Sequence, residues 1–332
     1  MAKKDSFLIT GAAGFVGSYL ARRLVEQGEN VNVFVKADSN LWRLENIEKK
    51  MNVFKGDLTD KNFVTPAVKQ IKPTVIYHLA THGAYSTQDN AEKIIATNVF
   101  GTWNLLNACA EVDYRVFINT GSSSEYGFKT SPMRETDLLE PNSYYAVAKS
   151  AQTLLCQHVA RSHKKPIVTF RLFSVYGYYE EAARLIPTLI TRCLDKKDLE
   201  MVSPETARDF VFIEDVGEAY LNVERLRQLS GEVINIGTGL QSKLKDIVQQ
   251  VLQLTNAKVQ VKWGSMPARI WDTNVWVADM TRAKMVLGWK AKRTLKEGLS
   301  KTIEWFKVNR KRYPRPINDE YKTQRSLRTP KG

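Results

Sequence analysis

A short apolar strand, three spaced glycines and a helix in immediate succession constrain this chain more than any other feature. Phe7, Leu8 and Ile9 suit a buried strand. Gly11, Gly14 and Gly17 follow at three-residue spacing, and Phe15, Val16, Tyr19, Leu20 and Leu24 then recur at helical intervals. Glycine lets the backbone turn sharply and lets a diphosphate approach the first N–H groups of a helix, where the helix dipole adds partial positive charge. The spacing is GxxGxxG rather than the GxGxxG of the general dinucleotide fingerprint, and no GK[ST] follows to make a P-loop. An ordinary strand-to-helix turn is the alternative, so the rest of the chain has to decide.

Strand patterns at 31–35, 51–54, 75–77, 115–119 and 167–170 alternate with helical patterns at 60–71, 90–111 and 143–162. That alternation predicts a parallel sheet with helices on both faces, a doubly wound α/β fold with ligands beyond the carboxyl ends of the strands. An acidic residue at the end of the second strand is the NAD form of the fingerprint; here the strand ends Val35-Lys36, and Asp38 comes late. A cation at this point suits a 2′-phosphate, so Lys36, helped by Ser39 or Arg43, leans towards NADP(H) over NAD(H), with a solvated loop lysine as the alternative. His78 ends an apolar strand and reads as a packed, hydrogen-bonded histidine.

Composition bounds the class. A chain of 332 residues with 43% hydrophobic and 25% charged residues can bury a sizeable core. No apolar run reaches the length of a membrane span, and the first strand starts too soon after Met1 for a signal peptide. Cys109, Cys156 and Cys193 lie far apart without metal-ligand spacing. A cytoplasmic protein without a metal and without membrane insertion is expected. The net charge of +14 raises nucleic acid as a partner, but residues 307–332 carry nine Lys/Arg against two Asp/Glu, a net of +7. Half the excess therefore lies in a polar, proline-containing stretch that reads as a basic, solvated, flexible tail, and nucleic acid is not the expected partner.

The chemical constellation is Ser122 with Tyr145 and Lys149. Tyr145-Ala-Val-Ala-Lys149 places both side chains on one helix face, and Ser143 supplies a helix start. An ammonium about 4 Å from a phenol, at an effective dielectric near 20, is worth roughly 4 kcal/mol, or about three pKa units. That would poise Tyr145 near neutrality as a proton donor to a carbonyl, with Ser122 binding the same oxygen.

Together with Asp57-Leu58, His78-Leu79-Ala80, Asn98 and Gly101-Thr102, these motifs resemble the extended short-chain dehydrogenase/reductase family, in register from about residue 5 to 305. The resemblance implies a Rossmann cofactor domain over 1–173 and a smaller C-terminal α/β substrate domain over 174–306, with segments of the latter returning to the sheet. It implies Ser122, Tyr145 and Lys149 as the catalytic set, with Lys149 also on the nicotinamide ribose. It implies a cofactor site drawn from Gly11, Gly14, Phe15, Val16, Gly17, Lys36, Asp57, Leu58, Leu79, Ala80, Thr120, Tyr145, Lys149 and Phe173. Arg208, in Arg208-Asp-Phe-Val211, and Arg269, ahead of Asp272, resemble the family's two diphosphate-binding arginines, and Ser123 and Ser124 fall at substrate positions. Ser174 stands where the family often has Asn. Trp263, Trp271 and Trp276 read as packing of the small domain. A homodimer through the helices at 90–111 and 143–162 is implied as well.

Members of the family mostly act on nucleotide-linked sugars, and three chemistries share the scaffold. A 4,6-dehydratase carries an acidic pair just after the catalytic hydroxyl, where this chain has Ser123 and Ser124; Glu125 comes one place later. The expected chemistry is reduction of a 4-keto(-6-deoxy) hexose at C4, for which Lys36 and the run at 121–127 speak. A 4-epimerase with tightly bound NAD is the alternative, and a non-catalytic dinucleotide-binding protein is a third reading from another class.

Overall fold

Strands that are apolar on both faces have to be covered on both faces, and the sheet at the centre of the fold is built of them. In the computed structural model, which describes residues 5–85, 87–266 and 273–313, six strands fall close to the sequence-derived positions: β1 (Ser6–Thr10), β2 (Asn30–Val35), β3 (Asn52–Lys55), β4 (Val75–His78), β5 (Val116–Ser122) and β6 (Ile167–Leu172). The strand Val233–Ile236 returns from the second half of the chain and completes a seven-stranded sheet. Its order is Val233–Ile236, β6, β5, β4, β1, β2, β3, and every pair is parallel. The chain reverses its direction of travel across the sheet between β1 and β4, where an open α/β sheet leaves its binding crevice.

Register brings the motifs together there. Thr10 pairs with His78 and His78 with Asn119, so β1, β4 and β5 end level and release the glycine turn, Leu79-Ala80 and Thr120-Gly121-Ser122 side by side. Helix α1 (Phe15–Glu26) follows the glycine turn and α2 (Lys61–Ile71) follows β3. The pattern at 90–111 forms one helical rod with a π-turn at its middle, Ala91–Ile95, Ala96–Phe100 and Gly101–Ala110. The pattern at 143–162 forms the helix Tyr144–Ser162, capped by the Ser143 side chain.

The second half of the chain packs the helices Leu185–Leu194, Leu244–Thr255 and Leu295–Asn309 around Ile190, Ile247, Val251, Leu299 and Ile303. Phe15, Val16 and Tyr19 of α1 pack against this second core, which seats it over the glycine turn. Trp263 belongs to it, whereas Trp276 packs into the core of the main sheet. The segment read as a tail from residue 307 is structured further than expected. Its last helix runs to Asn309, a turn Arg310–Arg312 follows, and the Tyr313 ring lies 4.7 Å from Trp42 and 5.4 Å from Phe306. Buried aromatic area holds these residues against a charge-rich sequence; residues 314–332 lie outside the described residues.

Two glycines of the first turn have no room for a side chain. A Cβ on Gly17 would stand 2.3 Å from the Gly11 carbonyl oxygen, and one on Gly11, which has φ +71°, would stand 2.6 Å from the Ala80 nitrogen. Gly17→Ala is expected to destabilise the fold by about 3 kcal/mol. Chemical denaturation of the two proteins measures it, and equal midpoints would mean that α1 does not need this approach.

Candidate active site

The glycine turn leaves a helix start open. Gly14 is the N-cap of α1, contributes no side-chain cap, and no acidic residue follows in the first turn. An uncapped N-terminus at the reversal point of a parallel sheet fits the diphosphate of a dinucleotide. Leu79 and Ala80 close against Gly11 from β4, Leu58 is buried beside Gly101, and Phe173 is buried with its N–H on the Ile236 carbonyl.

At the end of β2, Lys36 and Asp57 form an ion pair of 3.0 Å and, with Ala37, Asp38, Gly56 and Lys93, line a cleft of about 300 Å³. The charge expected to meet a 2′-phosphate is thus already shared with a carboxylate. Arg43 does not help it. Its guanidinium turns inward, with Nε donating to the Tyr179 carbonyl at 2.8 Å and Nη2 to Glu181 at 3.1 Å. Among the described contacts of Ser39, its N–H donates to the Lys36 carbonyl, a bond within the turn.

Ser122 and Tyr145 come together as expected. The phenol of Tyr145 lies beside Ser122 and Thr81, both of which favour its ionised form. Thr81 went unread in the sequence, although it directly follows His78-Leu79-Ala80. It is held by Asn98 of the π-turn, whose Oδ1 accepts from the Thr81 hydroxyl and the His82 N–H, both at 3.0 Å, while its Nδ2 donates to the His82 carbonyl at 2.8 Å.

The acidity expected of Tyr145 needs correction. Burial holds the phenol above its ordinary value, against Ser122 and the charge of Arg184, and Lys149 is not among its strongest influences. The ammonium is occupied elsewhere: it donates to the Thr120 carbonyl at 2.5 Å and to Gln152 Oε1 at 2.8 Å. Burial lowers Lys149 itself to about 8, with Glu125 opposing the shift. A shared helix face therefore did not make Lys149 the main influence on the phenol. Arg184 carries no local sequence signal for a place near Tyr145, because only the fold brings its loop there.

The run after Ser122 is equally specific. Ser122 caps a short 3₁₀ turn, Ser123–Tyr126, by accepting from Ser124 N–H at 3.1 Å, and Glu125 accepts from Ser122 N–H at 2.8 Å. Ser123 is buried and its hydroxyl accepts from the Trp276 indole N–H at 3.0 Å. The guanidinium of Arg208 lies over that same indole, 5.1 Å from its centroid, and donates to the Ala207 and Thr273 carbonyls. Ser123 and Arg208 thus meet on one tryptophan beside Ser122. Arg269, Trp271 and Asp272 lie outside the described residues.

Parallel sheet, open glycine turn and a tyrosine beside a strand-end serine are the frame of an NAD-binding protein of the short-chain type. Residues 8–302 match the family model described as GDP-mannose 4,6 dehydratase, and the chain belongs to this family of nucleotide-sugar-modifying, NAD-binding enzymes. It is 30% identical over 316 residues to human dTDP-D-glucose 4,6-dehydratase, covering 91% of this chain and 90% of that one. Among solved structures it resembles the UDP-glucose 4-epimerase of Thermotoga maritima with UDP-glucose, at 25% identity and a TM-score of 0.83, covering 91% of this chain and 98% of that one. It also resembles the UDP-glucuronic acid 4-epimerase of Bacillus cereus in complex with UDP-glucuronic acid and NAD, at 25% identity and a TM-score of 0.80, with the same coverage. No helix among the described residues is long and apolar enough to cross a membrane.

His78 is structural, as its strand-end position implied. It is fully buried between the hydroxyls of Thr10 and Thr102, each 2.7 Å from a ring nitrogen, and burial lowers its pKa to about 3. The unfolded chain, with an ordinary histidine near 6.5, binds the extra proton first. Between pH 6.5 and 3 stability therefore falls as pH falls. Urea midpoints measured across that range are expected to drop less steeply in His78→Gln than in the parent; identical slopes would place the acid sensitivity elsewhere.

Proposed function

We propose that this protein is a nucleotide-sugar 4-epimerase that oxidises C4 of a hexose and reduces it again from the other face, using NAD retained in the crevice. The observation that carries this is where the carboxylates are. Elimination of water from a sugar needs an acid and a base beside the catalytic hydroxyl, and those places hold Ser123 and Ser124. Glu125, the acid of the run, is 0% exposed and ion-paired to Arg171 at 2.8 Å, so it faces away from a substrate. Reversible hydride transfer at C4 is the chemistry this set supports.

Hydride exchange with C4 is what nicotinamide supplies when bound. Tyr145 holds the proton at O4, giving it up as the carbonyl is reduced and taking it as the hydroxyl is oxidised. The Ser122 hydroxyl hydrogen-bonds the same oxygen and stabilises charge that develops there. Arg184 favours the ionised phenol and Glu125 opposes it. Arg208, Ser123, Ser124 and Arg269 are the proposed contacts of the nucleotide diphosphate and sugar.

Release of a reduced 4-keto sugar with NADPH is the second reading, and Lys36 is the residue that favours it. Its ion pair with Asp57 weakens that support, because a neutralised lysine attracts a 2′-phosphate less. Incubation with NAD and a panel of UDP-, dTDP-, GDP- and CDP-hexoses is expected to interconvert C4 epimers without net cofactor consumption. Steady NADPH oxidation with a 4-keto sugar nucleotide would replace the epimerase with the reductase. Tyr145→Phe is expected to lower turnover roughly 10²- to 10⁴-fold with an unchanged melting temperature; near-normal turnover would remove its acid–base role.

We further propose a homodimer in the cytoplasm. Phe100 and Trp103 on one helical rod and Tyr144, Val147 and Leu154 on the next remain exposed, and the three cysteines are buried free thiols, which suits a reducing compartment. Leu154→Asp is expected to halve the mass seen in sedimentation equilibrium, and an unchanged mass would exclude this face as the interface.

A further inference from the structure

We propose that Glu125 is a positioning residue of the catalytic set: its buried carboxylate anchors the Ser122 main chain to β6 and to the helix that carries Tyr145 and Lys149. This rests on the reading of Ser122 and Lys149 as catalytic and adds a residue to it.

The carboxylate joins three elements. Oε1 accepts from the Ser122 N–H at 2.8 Å and from the Thr153 hydroxyl at 3.1 Å, and Oε2 accepts from Arg171 Nε at 2.8 Å. Ser122 ends β5, Arg171 lies on β6, and Thr153 stands one helical turn beyond Lys149 on Tyr144–Ser162. The strand end is shaped to admit it, since a Cβ on Gly121 would stand 2.6 Å from Oε1. Arg171 stacks over the Tyr126 ring at 4.6 Å, and its Nη1 is buried without a hydrogen-bond partner. Chemistry and space are therefore both committed to a glutamate here.

The electrostatics follow from this placement. Lys149 faces Glu125 from the end of β5, Cys156 from its own helix and the ring of His78 from β4, with Tyr145 one turn back. Burial pushes the ammonium towards its neutral form, and Glu125 is the largest influence that opposes it. Burial raises the Glu125 carboxyl above its ordinary value, with Arg171, the Ser122 N–H and Lys149 opposing the shift.

The test is amide hydrogen exchange at Ser122 in the full-length protein, read by NMR on the assigned backbone. Glu125→Leu alone leaves a guanidinium buried without its partner, which by itself threatens the fold. The informative variant is therefore Glu125→Leu with Arg171→Met, which removes both charges and the acceptor. Its Ser122 N–H is expected to exchange at least roughly tenfold faster than in the parent. An unmoved exchange rate in the folded double variant would overturn the proposal whatever the sugar substrate turns out to be. Glu125→Asp, which keeps the charge and shortens the reach, is expected to lower kcat at least tenfold with KM within twofold. An unchanged kcat in that variant would remove the anchoring of Ser122.

Discussion

A lysine with 2% of its surface exposed carries a charge that the interior tolerates only if its protons find acceptors. The strand ends of this fold are arranged round that requirement. The Lys149 ammonium donates to the Thr120 carbonyl and to Gln152; Gln152 donates on to Asn119 at 2.7 Å, and Asn119 to the Thr169 hydroxyl at 3.2 Å. The line of polar groups runs from the helix through β5 into β6, inside an otherwise apolar core. Removing one member would strand the next, so the network fixes the helix against the sheet in a way that apolar packing alone does not.

A second set of contacts fixes the two halves of the molecule across the crevice. Arg43 reaches from the segment after β2 to the Tyr179 carbonyl and Glu181, and its own carbonyl accepts twice from Arg22. Tyr313 comes from the other end of the chain, packs on Trp42 and donates its hydroxyl proton to the Glu180 carbonyl at 2.8 Å. The loop at 177–184, which carries Arg184 towards Tyr145, is thus gripped on both sides. The same arrangement takes Arg43 away from the end of β2, so the cleft there sets Lys36 and Lys93 against Asp38 and Asp57.

Much of this was legible before any coordinates. The six strands, the glycine turn, the helix that carries Tyr145 and Lys149 and the structural nature of His78 followed from period, punctuation and position, because local sterics and burial decide them. The seventh strand was expected only as an unspecified return to the sheet; Val233–Ile236 is short, and its pairing with β6 is a contact over more than sixty residues. The π-turn at Ala96–Phe100 left no mark in the periodicity either, although it carries Asn98 to the loop that holds Thr81.

The sequence by itself determined the class of fold and which side chains approach the crevice: a parallel sheet, a crevice at its reversal, Ser122 at the end of β5, and Tyr145 and Lys149 on one face of the helix beside it. Only the tertiary structure decided what each charge acts upon. Lys149 and Tyr145 share a helix face, yet the ammonium is drawn to Thr120 and Gln152, and the phenol answers instead to burial, Ser122 and Arg184. Lys36 and Asp57 are twenty-one residues apart and neutralise each other, while Glu125, one place beyond where an acid would serve dehydration, is turned into the core by Arg171. The reason is physical: spacing along the chain settles which face a side chain leaves from, but the strength of a charge depends on distance and on the water excluded around it, and both are set only when the chain has packed.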